Sequence, residues 1–159
     1  MELDDIVAEL AIRRAIYRYC RGVDRGDVAM IASAYHADSV ENHGAFSGTG
    51  REFAEYLVPL MDGSPAIGGH HVTNILIERE GTEARVESYF IAFHAQHDGS
   101  RAFVTGRYLD NFALRRGEWR IALREVVIDS DTPPAGTIDL SDYPRGARRE
   151  ADPSHGWFA

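Results

Sequence analysis

After Asp62-Gly-Ser-Pro65 the hydrophobic pattern of this chain changes from a helical to a strand period and keeps that period to about Ser130. Four runs, His70–Arg79, Glu83–His97, Arg101–Arg115 and Glu118–Ser130, are separated only by Glu80-Gly-Thr, Asp98-Gly-Ser and Arg116-Gly. Turns this short join antiparallel neighbours, because a parallel pair needs a long crossover. The segment therefore reads as a meander of consecutive hairpins. Its runs are much longer than the usual strand of about five or six residues, which predicts a coiled, bulged sheet able to wrap around a cavity.

The preceding residues are helical in pattern. Leu3, Ile6, Val7, Leu10, Ile12, Ile16, Tyr19, Cys20 and Val23 recur mostly at three- and four-residue spacing, as in an amphipathic helix, and Gly22 with Arg25-Gly26 ends it. Asp27 is placed to cap a short helix carrying Val28, Ile31, Ala32 and Tyr35. A short strand over Ser39–His43 and a brief one at Ala45-Phe46 follow. Thr49 with Glu52 then forms a capping box for a helix through Met61, whose buried face is Phe53, Leu57 and Leu60. The fold class is α+β, with three N-terminal helices packed on a strongly curved antiparallel sheet. Residues 1–130 make the domain and 131–159 a tail interrupted by Pro133, Pro134, Pro144 and Pro153. Trp157 and Phe158 are too apolar to dangle, and are expected to pack over the pocket or on a neighbouring subunit.

Charge and composition exclude several classes. A net charge of −8 with arginines spread along the chain argues against nucleic acid as a partner. No stretch approaches the roughly twenty apolar residues of a membrane span. The acidic start Met-Glu-Leu-Asp-Asp does not resemble a secretory signal, so a cytoplasmic location is expected. The single Cys20 excludes an internal disulfide or a thiolate cluster.

Asp24 lies where the first helix ends, against the negative pole of the macrodipole, so local structure disfavours it there unless it has a partner. His70 or His71 can be that partner, since a carboxylate fixes an imidazole's tautomer and supports the imidazolium. The plainer reading is that Asp24 serves the helix-to-helix turn. Of the seven histidines, His36, His97 and His155 fall in loop or tail positions, leaving His43, His70, His71 and His94. Both faces of the run around His70-His71 are apolar, so patterning does not choose between them. An odd-length loop at Glu80-Gly81-Thr82 places His70 and His94 on one face, whereas a two-residue turn brings His71 there. We favour His70.

The motifs Tyr19-x4-Asp24-x2-Asp27, Tyr35-His-Ala-Asp38-Ser-Val40, Gly-His70-His71-Val-Thr-Asn74 and Trp119-Arg-Ile, in this element order, resemble the nuclear transport factor 2-like, or SnoaL-like, superfamily over about residues 5–130. Within it the chain is most similar to the branch of scytalone dehydratase, bile acid 7α-dehydratase and hexachlorocyclohexane dehydrochlorinase. That resemblance implies a cone-shaped α+β barrel around an apolar pocket and a cofactor-free, metal-free lyase. It implies catalytic roles for Asp24, His70, Tyr19 and His94. His70 would act as base, Asp24 as its orienting partner, Tyr19 as donor to an enolate oxygen and His94 as acid to the leaving hydroxyl. Substrate-binding roles fall to His43, His71, Phe90 and Tyr108. His43 departs from the general-base Asp of the isomerases in this superfamily. The substrate would be a small hydrophobic ring compound, and the assembly a homo-oligomer, a trimer in preference to a dimer. The same pocket could serve an isomerase or hydrolase, and a ligand-binding or assembly domain, including an oxygenase small subunit, is the competing class.

Overall fold

The computed structural model describes residues 2–62, 67–95, 100–132, 141–145, 147 and 149–157. His97, Phe158 and the Pro133-Pro134 pair lie outside them. Helix α1 (Leu3–Arg25) opens with a capping box between Glu2 and Asp5 and stops at Gly26, whose φ of 64° reverses the chain and points its N–H at the Gly22 and Val23 carbonyls. Ala8, Ile12, Ala15, Ile16, Tyr19, Cys20 and Val23 form its buried face. Asp27 caps α2 (Val28–Ser33) by accepting from the Met30 N–H at 2.9 Å. Strands β1 (Tyr35–His43) and β2 (Phe46–Gly48) form a hairpin, and Thr49 and Glu52 box the start of α3 (Gly50–Asp62).

The long strands are β3 (Ile67–Glu80), β4 (Glu83–Ala95), β5 (Arg101–Arg115) and β6 (Glu118–Thr132), in one open sheet of order β2-β1-β6-β5-β4-β3. The meander β3 to β6 is antiparallel throughout, but β1 lies parallel to β6, so the sheet is mixed rather than wholly antiparallel. Hairpin turns dictate the direction of sequential neighbours only. The β1–β6 pairing joins opposite ends of the domain, and no turn sets its sense.

Bulges bend the sheet between Val72 and Ile75, Thr105 and Gly106, and Asn111 and Phe112. At the second of these, a Cβ on Gly106 would lie 2.3 Å from the Val127 carbonyl and 2.8 Å from the Phe90 ring, so only glycine admits this approach. The core fills the space between the helices and the inner sheet face, where Phe90, Tyr108, Phe112, Ile121, Val126 and Ile128 meet Ile12, Ile16 and Tyr19.

The tail returns to the outer face of its own domain. The Ile128 N–H donates to the Pro144 carbonyl at 2.9 Å and Arg145 bridges alongside β6, in the lane that β1 vacates. Arg107 then ties the tail to the sheet. Its guanidinium donates to Asp152 at 2.8 Å, Glu87 at 2.8 Å and Asp129 at 3.0 Å. The bond from Arg107, helped by those from Ser154 and the Ala147 N–H, holds the Asp152 carboxyl well below its ordinary value. A depressed folded value means that this contribution is present above an unfolded Asp value of about 3.9 and is lost progressively as pH falls from there through the lower folded value. Limited proteolysis with pepsin should therefore cleave the tail faster and faster as pH falls from about 4 to about 2, before the sheet melts. Arg107→Met should show the same cleavage at pH 7, by a protease active there, with the strand circular dichroism retained.

On β6, Ile121 is buried in the core and Val127 beside the tail-bound Arg107, so neither presents an apolar surface to another chain. Exposed apolar residues of the outer sheet face include Leu76 on β3 and Tyr89, Ile91 and Phe103 on β4 and β5, with Phe93 packed on Phe103 at 5.4 Å. This patch is the surface through which a homo-oligomer would form. Light scattering at micromolar concentration should give a multiple of the monomer mass, a trimer by preference, and Ile91→Glu with Phe103→Glu should return a monomer.

Candidate active site

Asp24 ends α1 with its carboxylate turned toward β3. The His70 ring Nδ1 lies 2.7 Å from Asp24 Oδ1, and the His70 backbone N–H donates to both carboxylate oxygens at 3.1 Å. An ionised carboxylate only accepts, so Nδ1 carries the hydrogen and Nε2 is left as the basic nitrogen. Burial works to raise the Asp24 carboxyl, but the ring and backbone bonds from His70 outweigh it and hold the acid below its ordinary value. Both side chains are mostly buried, with 13% and 14% of their surface exposed.

The register that selects His70 has two parts. The β3–β4 turn is the two-residue kind, with Glu80 opposite Glu83, which by itself would put His71 on the inner face. The bulge between Val72 and Ile75 inserts one further residue and reverses that parity. His70 thus pairs with Ala92 and shares the inner face with His94, whose ring stands perpendicular to it at 6.2 Å. Burial first, then the neighbouring His70, push the His94 ring below its ordinary value, so it is biased toward the neutral form. His71 is exposed on the opposite face, pairing with Ile91, and does not line the site as expected.

Behind the dyad runs a band of aromatic rings. Phe90 is tilted against His70 at 6.3 Å and stacks on Tyr108 at 4.5 Å, and Tyr19 packs edge-on against both Tyr108 at 5.6 Å and Tyr35 at 5.9 Å. Arg124 lies in this band, its Cζ 4.0 Å from the Tyr108 centroid and 4.2 Å from that of Tyr19. Its Nε and Nη2 each donate to Asp110 at 2.7 Å, and both side chains are wholly buried. Arg124 Nη1, equally buried, has no hydrogen-bond partner among the described residues. Burial first, then Glu41, push the Tyr19 phenol well above its ordinary value, so it is a hydrogen-bond donor at any working pH.

His43 belongs to a separate cluster. Its Nδ1 is 2.8 Å from Glu41, a fully buried carboxylate that also accepts from the Tyr35 hydroxyl at 2.7 Å, and the ring stacks on Phe53 at 4.4 Å. His36 binds the Ala113 carbonyl at 2.9 Å. Among the described residues no group of three or more His, Cys, Asp or Glu side chains is placed to hold a metal ion.

The surface depression at the dyad has a volume of about 270 Å³ and is lined by Tyr17, Cys20, Arg21, Asp24, Arg25, His70 and Val72. It is not the mainly apolar pocket expected, and Tyr19 and His94 lie outside its wall. The residues around the fully buried pair were the least visible in the sequence. Asp110 and Arg124 carry no local sign of burial beyond a charge within an apolar strand. Their pairing across β5 and β6 depends on register.

Comparison with known proteins agrees with this architecture. A solved structure of a candidate scytalone dehydratase from Novosphingobium aromaticivorans superposes with a TM-score of 0.79 at 23% identity, covering 91% of this chain and 97% of that one. The hexachlorocyclohexane dehydrochlorinase LinA-type3 from Novosphingobium barchaimii gives 0.75 at 19% identity, covering 88% and 99%. A protein of unknown function from Mycobacterium tuberculosis gives 0.71 at 25% identity, covering 79% and 74%. No curated protein matches the sequence. The model of the SnoaL-like domain matches residues 4–125, and the chain belongs to that family.

Proposed function

We propose that this protein is a cofactor-free lyase of the dehydratase type, acting on a hydrophobic, ring-containing hydroxy-ketone. The observation that carries the reading is the 2.7 Å contact between Asp24 and His70 Nδ1, which leaves Nε2 as a base. In this reading Nε2 takes a proton from the carbon next to the carbonyl, and the imidazolium is held by the adjacent carboxylate. The carbonyl oxygen gains charge as that bond breaks. Tyr19, the donor that the resemblance assigns to it, stays protonated but is buried behind the wall of the depression with Arg124, so it would serve the oxygen only if the aromatic band opened toward the dyad. As the carbon–carbon double bond forms and the carbon–oxygen bond breaks, the proton on His70 leaves with the hydroxide as water. His94, biased toward the neutral form by burial, suits a hydrogen bond to the departing oxygen better than the role of acid assigned from sequence.

The likeness to dehydratase and dehydrochlorinase structures supports the lyase class. Incubating the protein with steroid, polyketide and aromatic hydroxy-ketones in deuterated water tests the reading. Water loss from one of them, with exchange at the adjacent carbon that His70→Ala abolishes, is the expected result. Absence of both exchange and elimination across the panel would favour a binding role.

A further inference from the structure

Of the seventeen arginines in the sequence, Arg13, Arg51, Arg79, Arg107, Arg115, Arg120, Arg124 and Arg145 sit in ion pairs among the described residues. Arg14, Arg18, Arg21 and Arg25 are exposed on α1, and none has an ion-pair partner among the described residues; Arg25 donates only to the carbonyl of Asp24. Their spacing of four, three and four residues puts them in a single stripe, which at 1.5 Å per residue is about 16 Å long. Such a stripe is conspicuous on a chain of net charge −8. Arginines this close repel one another unless something negative lies between them. The stripe also has a definite destination: Arg21 and Arg25 form part of the wall of the depression that holds Asp24 and His70, and the half-exposed Tyr17 ring lies beside them.

We infer that Arg14, Arg18, Arg21 and Arg25 bind a phosphorylated, multiply charged handle of the substrate, which lies along α1 while the apolar part reaches His70. A single carboxylate needs one guanidinium. A row of four on one helix face offers a polyphosphate several guanidiniums whose side chains can converge on it, each able to take phosphate oxygens bidentately by its planar fork. Tyr17 offers a face for a heterocycle attached to them. The inference rests on the proposed reacting centre only for the direction in which the ligand points.

Because the stripe is exposed, Arg18→Ala with Arg21→Ala should fold as the parent does, and binding can be measured without turnover. Calorimetry in low salt with inorganic tripolyphosphate and with ATP, free of magnesium, is the test. Both should bind the parent, ATP more tightly, and the double variant should lose at least tenfold in affinity. Affinity should also fall steeply with added salt. His70→Ala should bind both probes as the parent does, which separates this site from the lyase reading: loss of turnover with retained binding condemns neither, and absent binding condemns only the handle. No binding at millimolar probe, or binding indifferent to the arginine substitutions, would overturn the inference. So would retention on phosphatidylserine–phosphatidylcholine vesicles that tripolyphosphate fails to compete away, since that would make the stripe a membrane contact.

Discussion

His70→Ala should abolish elimination of any accepted substrate, and Asp24→Asn should lower it by a factor on the order of 10²–10⁴ while changing stability little. The two effects come from different losses. Removing the imidazole removes the base. Replacing one carboxylate oxygen by an amide keeps the shape of the Asp24 side chain, but the amide gives Nδ1–H a weaker acceptor and the imidazolium no charged neighbour. The amide's own N–H₂ can also donate to the ring and favour the tautomer that leaves Nε2 protonated and useless as a base. Asp24→Asn combined with His70→Ala should be scarcely slower than His70→Ala alone, because groups acting as one unit are not additive. Imidazole nitrogen chemical shifts give a readout independent of turnover: the parent should show the Nδ1–H tautomer at His70, and Asp24→Asn should lose it. Tyr19→Phe should cost less, on the order of 10²–10³ in rate, as for the loss of one oxyanion donor. Wild-type rates in both His70→Ala and Asp24→Asn would end the dyad mechanism.

The largest effect on stability is expected at the Arg124–Asp110 pair. Each side chain is wholly buried, and the two are joined by two bonds of 2.7 Å. Asp110→Ala leaves a buried guanidinium without its hydrogen-bonded counter-charge, which costs about 3–5 kcal/mol. For a chain of this size that lowers Tm by roughly 6–20 °C. Removing both charges together, as Asp110→Leu with Arg124→Met, avoids the stranded ion and should recover most or all of the loss, because a buried pair contributes little net stability over an apolar replacement of similar volume. A thermal-melt double-mutant cycle measures this directly. The reading requires a large positive coupling between the two positions; additive effects would show that the pair is solvated.

Local chemistry made much of this protein legible without its structure. The capping residues Asp27 and the Thr49–Glu52 box, the helical spacing from Leu3 to Val23, and the short turns near Gly81 and Gly117 act over a few residues, and these elements start where those signals place them; Tyr35, read as part of α2, instead opens β1, and Leu60, read as buried on α3, is exposed. Asp24 was conspicuous for the same reason: a carboxylate at a helix C-terminus is out of place unless something distant holds it. What the chain could not reveal locally is whatever depends on counting residues across a sheet or on pairing remote strands. One bulge at Val72–Ile75 decides that His70 faces Asp24 and His71 faces outward, despite a two-residue turn that alone would have reversed them. The parallel β1–β6 contact, the tail held by Arg107, and the burial of Asp110 against Arg124 have the same origin. Such contacts join residues far apart in the chain, and their energies appear only after the sheet has curved and removed those groups from water.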